Sequence, residues 1–366
     1  MVTEVNKYGL SRYIEEPIKR AIRQACNHGC AICGDAIYTY EHIDPEFHEE
    51  REHDPEKMTL LCLGCHGKVT SSFWSKQKVI EARQNPICKK KGFSHFNLDI
   101  GLGDDFIVKI GNTRFKNLQS IIEIDGEDIL SVYPPEELNA PPRISARFFD
   151  RNNVNIACIV QNQWRGSSDA FDIEAKGGTF KIRSAVNKID LFLRVQPTNL
   201  FVIEKIELAY KNTRISGSTS KGLKVQLQNA SVKIPTKPDQ IQEAPFWLSI
   251  KEGKIYLGND FVESLNRKEY AGYYEIENAD VELIDSADVN SPVNPRPGRK
   301  VLKITGGEGG GRVLFNPTSL RKEMPKQREN GIKLTKKIRP NDPCHCGSGQ
   351  KYKRCHGNQK GKRQKK

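Results

Sequence analysis

Between about residues 100 and 235 apolar and polar positions alternate. Phe106-Ile-Val-Lys-Ile110, Ile121-Ile-Glu-Ile124, Arg143–Phe149, Asn155–Val160, Thr179–Arg183 and Lys188–Arg194 carry Val, Ile or Phe at period two. Successive side chains of a strand point to opposite faces, so this alternation predicts half-buried strands. Gly, Asn and Pro separate the short runs, which predicts turns and an antiparallel sheet. Residues 96–285 are therefore expected to form an all-β domain, a sandwich or a related layered sheet. Residues 245–285, with Trp247, Tyr256, Tyr273 and Tyr274, are expected to add strands to it.

The flanks read differently. Residues 16–26, EPIKRAIRQAC, predict a short amphipathic helix with Pro17 near its start. Ile14, Ile18 and Ile22 recur at helical spacing and are expected to face inward, leaving Arg20 and Arg23 outside. Residues 66–85 predict a second helix, with Trp74, Val79 and Ile80 apolar and Pro86 ending it. Lys89-Lys90-Lys91-Gly92 reads as a hinge. Residues 286–340 carry Pro292, Pro295, Pro297 and Gly-rich steps from Gly306 to Gly311. No Gly-Lys-Ser/Thr follows, so a linker is expected there rather than a phosphate cradle.

Length and composition narrow the class. A chain of 366 residues suggests about two or three domains. No run of 18 apolar residues is present, which argues against a membrane span. The opening MVTEVNKYGL lacks an apolar signal region, so a cytoplasmic protein is expected. The net charge of +13 is a tail property. Residues 321–366 hold 16 Lys/Arg against 3 Asp/Glu, leaving 42 of each in residues 1–320.

Seven of the ten cysteines sit in metal-like spacings, which suits a reducing compartment. Cys30-Ala-Ile-Cys33 and Cys62-Leu-Gly-Cys65 are two Cys-x-x-Cys turns separated by 28 residues. Two such turns complete a closed tetrahedral Zn²⁺ site with no open position for chemistry. Cys26 and His28 are near enough to be alternative ligands; Cys26, Cys88 and Cys158 otherwise read as ordinary structural residues. Chemistry has other candidates close by. A neutral imidazole can take a proton from water, and a carboxylate with a second imidazole can hold a divalent cation. Glu41, His42 and His66 supply those groups. The stretch Glu41–Lys57 holds eight carboxylates against Arg51 and Lys57. Such a run reads as a solvated loop that repels DNA unless cations bind it. His48 and His53 within it read as exposed, unliganded imidazoles.

Taken together, the Cys pairs, Glu41-His42-Ile43-x-Pro45 and Leu60-Leu61-Cys62-x-x-Cys65-His66 resemble the HNH endonuclease family over roughly residues 15–85. The resemblance implies a zinc-stapled ββα-metal module with His42 as general base. It also implies that Glu41 and His66 hold a catalytic Mg²⁺ or Mn²⁺, and that DNA is the substrate. Lys57 stands where the family has an asparagine that holds the loop orienting the base.

At the other end, Cys344, Cys346, Cys355 and His356 form one Cys₃His spacing, a zinc knuckle. The stretch from Asn341 to His356 resembles the SEC-C motif at the carboxyl end of the SecA translocase and of many bacterial proteins. That resemblance implies a protein partner or the ribosome, and a second structural Zn²⁺; the basic flank up to Lys366 could instead bind nucleic acid.

The expected fold class is α+β multidomain. Its parts are an HNH module over residues 1–95, an all-β recognition domain over 96–285, a linker over 286–340 and a SEC-C motif with its basic tail over 341–366. The expected function is a bacterial metal-dependent DNA endonuclease, with defence against foreign DNA as its setting. The competing expectation is a non-catalytic zinc-containing adaptor that binds nucleic acid or ribosomes.

Overall fold

Residues 1–318 form one compact unit. The computed structural model describes residues 5–257, apart from short gaps at 103–105, 112, 117–118, 138–139, 197–198, 235–239 and 243–245, and the strands between 274 and 315. The Gly-rich steps from Gly307 to Gly311 and the four residues expected to form a C-terminal knuckle, Cys344, Cys346, Cys355 and His356, lie outside the described residues.

This unit begins with short elements. Helix α1 (Glu16–Ala25) has Pro17 in its first turn, where a missing N–H costs nothing. Ile14 and Ile22 are buried with Cys26, Ala31, Met58 and Leu60 in one small core, with Ile18 packed against it. Strands β1 (Thr39–His42) and β2 (Met58–Leu61) pair antiparallel, with Glu41 opposite Thr59 and His42 opposite Met58. All four residues of β2 are buried, because this apolar run is covered on both faces.

Helix α2 (Leu63–Thr70) starts at Cys62, whose sulfur accepts from the Cys65 N–H. The single helix expected over 66–85 is two. Residues 71–75 break it, and Ser75 caps α3 (Lys76–Gln84) by accepting from the Lys78 N–H. Helix α4 (Ile87–Lys91) ends on Gly92, whose φ of 81° is open to glycine at no steric cost. The expected hinge is thus a helix that runs straight into β3 (Phe93–Asn97).

Strand β3 is an edge of the larger architecture. It pairs antiparallel with Gln163–Ser167 and completes a ten-stranded sheet. The order there is 279–285, 300–306, 254–257, 246–251, 120–124, 127–133, 143–149, 155–160, 163–167 and 93–97. A twelve-stranded sheet runs as a meander from 172–176 through 179–185, 188–196, 200–210, 213–218, 222–226 and 231–234 to 274–277 and 312–315. Three short strands, 107–110, 113–115 and 240–242, complete it beside 200–210. Trp164 of the first sheet is fully buried and lies 4.6 Å, ring to ring, from Phe180 of the second.

The expected α+β class with a ββα-metal module is therefore corrected. The described residues are mostly strand, gathered into two large sheets. The physical reason is visible at both ends of the central span. Phe93–Asn97 on one side and Lys300–Gly306 and Arg312–Phe315 on the other have ladder partners, so the sheets extend into stretches read as hinge and linker. The N-terminal helices are only five to ten residues long and make no layer of their own.

Candidate functional site

Two features converge at the N-terminal module: a sulfur cluster and an open cleft. Cys30, Cys33, Cys62 and Cys65 bring their sulfurs within 4.8 Å of one another. Cys33 and Cys62 sulfurs stand 3.6 Å apart. A tetrahedral site with Zn–S bonds of about 2.3 Å sets its sulfurs roughly 3.8 Å apart, so the four thiols fit one metal ion. A disulfide needs about 2.05 Å, and these cysteines are free. The hydrogen bond from Cys33 holds the Cys30 thiol below its usual range, and the same bond together with burial pushes Cys33 up. Metal binding takes these thiols as thiolates. Four sulfur donors and no carboxylate suit Zn²⁺ rather than a hard cation. Cys26 is not among these four. Its sulfur lies 3.6 Å from the Thr59 hydroxyl. His28 is not a ligand either. Its Nε2 is 2.8 Å from the Ala170 carbonyl and its Nδ1 accepts from the Ile173 N–H.

The cleft has a volume of about 1100 Å³. Its wall includes Glu41, His42 and His66, with Glu174 and Lys176 from the sheet opposite. Glu41 sits on β1 and His66 on α2, and Glu41 Oε2 lies 3.3 Å from His66 Nε2. The other carboxylate oxygen accepts from the Thr39 hydroxyl at 2.7 Å. The cleft therefore presents one carboxylate and one imidazole in direct contact, and among the described residues the one cluster of three or more metal-ligating groups is that of the four cysteines.

His42 is half-buried on β1. Burial, the largest cause, holds its pKa down at about 4, so it is neutral at pH 7. Its Nε2 lies 3.2 Å from His53 Nδ1. Lys57 stands apart. Its side chain is 47% exposed, 4.0 Å from Asp54, and does not line the cleft. Its carbonyl does matter, because it accepts from the Ile43 N–H at 2.9 Å.

Three residues hold the loop between β1 and β2, and the sequence pattern pointed to none of them. The Asn6 carboxamide donates to the carbonyls of Phe47 and Glu50, each at 2.6 Å. Arg83 on α3 donates to the carbonyls of Met58 at 2.8 Å and Pro55 at 3.2 Å. His53 reads as one more polar residue of an acidic run, yet its two ring nitrogens face His42 and the Ser11 carbonyl. Only a histidine eleven residues after His42 was legible; the fold of the loop was not.

Arg23 was expected at the surface and is instead fully buried. It grips Asp172 of the sheet with two hydrogen bonds, at 2.7 and 2.9 Å, and reaches Tyr40 at 2.8 Å. Arg183 adds a bond to the same carboxylate at 2.9 Å. Burial alone would raise the Asp172 carboxyl, but the Arg23 bond and the charges of Arg23 and Arg183 outweigh it and hold it below its usual range. This knot fixes one wall of the cleft against the other.

No helix among the described residues is long and apolar enough to cross a membrane. No solved structure matches the chain. Three curated relatives are short local matches. The protein translocase subunit SecA of Parabacteroides distasonis is 49% identical over 35 residues, 10% of this chain and 3% of that protein. That of Brachyspira hyodysenteriae is 56% identical over 32 residues, 9% of this chain and 3% of its own length. The SecA 1 subunit of Nitrosospira multiformis is 50% identical over 36 residues, 10% and 4%. The chain thus spans only a few hundredths of these relatives. Residues 341–358 match the family model of the SEC-C motif, so the carboxyl end of this chain carries a SEC-C motif.

Proposed function

We propose that the cleft of the N-terminal module hydrolyses phosphodiester bonds in DNA, in the manner of an HNH endonuclease. The observation that carries the reading is the convergence of Glu41, His42 and His66 on one open cleft beside the four-sulfur cluster. A neutral histidine is free to take the proton of an attacking water. Glu41 and His66 would hold a divalent cation, which when bound stabilises charge on the phosphate and the leaving oxygen. Lys19 and Lys176 line the same cleft and suit contacts to a phosphate backbone. Lys76 on the cleft wall is paired with Glu46. Asn6 and Arg83 hold the loop that the family holds with an asparagine, so Lys57 is compatible with this reading. Defence against foreign DNA is the setting that would give such an enzyme its use.

The test is nicking of supercoiled plasmid with Mg²⁺ or Mn²⁺, with a chelator control. His42→Ala is expected to lower the rate by ~10²-fold or more, the scale of a lost general base, with zinc content unchanged. Glu41→Ala is expected to be partly rescued by excess Mn²⁺. Cleavage by His42→Ala at the wild-type rate would overturn the reading.

The SEC-C motif favours a second role for the other end of the chain. Similar segments occur in a translocase subunit, and we propose that residues 341–366 hold a second Zn²⁺ through Cys344, Cys346, Cys355 and His356 and dock a protein partner. A non-catalytic adaptor would need only this part. Pull-down with full-length protein and with Cys344→Ser, read alongside the plasmid assay, separates the two roles.

A further inference from the structure

The loop after β1 turns back so that His53 meets His42. His53 Nε2 lies 2.8 Å from the carbonyl oxygen of Ser11. A carbonyl has no proton to give, so His53 Nε2 carries the hydrogen of that bond. In a neutral ring this leaves His53 Nδ1 as an acceptor. Its neighbour at 3.2 Å is His42 Nε2, so the hydrogen between the rings belongs to His42. The lone pair of His42 is then on Nδ1.

We propose that His53 is a positioning residue, which fixes the tautomer and ring orientation of His42 so that Nδ1 is the basic atom of the cleft. The surroundings hold the pair in place. The Phe47 ring lies 5.5 Å from the His42 ring and stacks on His53 at 6.5 Å, with an interplanar angle of 11°. The Arg12 guanidinium covers the Phe47 ring at 4.3 Å. Asn6 ties the carbonyls of Phe47 and Glu50. Residues 6–12 thus act as a strap, supplying both the Ser11 carbonyl that orients His53 and the groups that hold Phe47. When Nδ1 of His42 takes a proton from water, the ring becomes an imidazolium. Its Nε2–H bond to His53 then becomes charge-assisted, which stabilises the charged base. The net transfer is one proton from water to His42, and nothing else is oxidised or reduced.

This inference rests on the reading of His42 as the base, but its main readout does not require activity. The full chain has eight histidines, so ¹⁵N-histidine labelling gives a resolvable ring spectrum. At pH 8 the expected result is a slowly exchanging proton on His42 Nε2, with a trans-hydrogen-bond ¹⁵N–¹⁵N coupling to His53 Nδ1. His53→Ala should expose that proton to rapid exchange and lower kcat for plasmid nicking on the order of 10-fold, with KM little changed, the scale on which orienting partners of a histidine act. His53→Asn, whose carboxamide oxygen can accept the same bond, should recover part of both. A proton found on His42 Nδ1 or on His53 Nδ1, or an equally protected His42 proton in His53→Ala, would overturn the proposal. If the wild type shows the coupling but cuts no DNA, the positioning geometry stands and the nuclease reading fails.

Discussion

The N-terminal module and the sheets are held together by different physics. From residue 5 to 92 no regular element exceeds ten residues, and the apolar cores are two small clusters of six buried residues each. Four sulfurs, an arginine–aspartate knot and side chains bonded to loop carbonyls do the rest. In the sheets, strands of up to eleven residues and a continuous row of buried Ile, Leu, Val and Phe suffice. The lesson is that a small core must be stapled, and the staples then put polar groups where chemistry is available. Each prediction below removes one kind of hold.

The largest effect is expected from the sulfurs. Cys62→Ser should release the metal and unfold the module, since structural zinc contributes on the order of 10 kcal/mol. Elemental analysis should lose one zinc per chain, and limited proteolysis should cut within residues 5–92 while leaving the sheets resistant. Proteolysis spread evenly over both regions would show that the module and sheets unfold as one.

Next comes the knot. Asp172→Asn leaves the buried Arg23 with Tyr40 and Glu16 as partners but without its buried carboxylate, and breaking such a pair costs about 3–5 kcal/mol. The melting temperature should fall accordingly. The sign with pH follows from the depressed Asp172 carboxyl. Its contribution is fully present above the ordinary aspartate value of about 3.9 and is lost as pH falls through the lower folded value. Asp172→Asn should therefore flatten the acid limb of the stability profile as well as lower it.

Within the sheets, Leu193 is fully buried, and Leu193→Ala should cost about 2–5 kcal/mol with no change in zinc content. Asn6→Ala removes two hydrogen bonds to the loop and should cost roughly 1–2 kcal/mol while loosening the His53–Ser11 contact. Hydrogen exchange at residues 47–53 would report it. The smallest effect is expected at Lys57. Lys57→Asn removes a half-exposed pair 4.0 Å from Asp54 and should shift stability by less than about 0.5 kcal/mol.

Some of this was determined by the sequence alone. Alternation at period two marked Arg143–Phe149, Asn155–Val160 and Thr179–Arg183 as strands, because the pleat repeats every two residues whatever its partner, and the structure extends the last to Ala185. Ile14, just before α1, and Ile18 and Ile22 within it marked its inward side, and Cys-x-x-Cys spacing marked the sulfur cluster, because a ligand turn is local geometry. The tertiary structure decided the rest. It set the extent of the two sheets, since Phe93–Asn97 is a strand only because Gln163–Ser167 lies beside it. It buried Arg23, whose helical position says surface until Asp172 arrives from 149 residues away. It also set His53 on His42, since the fold of a fifteen-residue acidic loop depends on Asn6, Ser11 and Arg83 reaching it from elsewhere. Periodicity and spacing are properties of neighbours in the chain; pairing of charges and imidazoles across it is not.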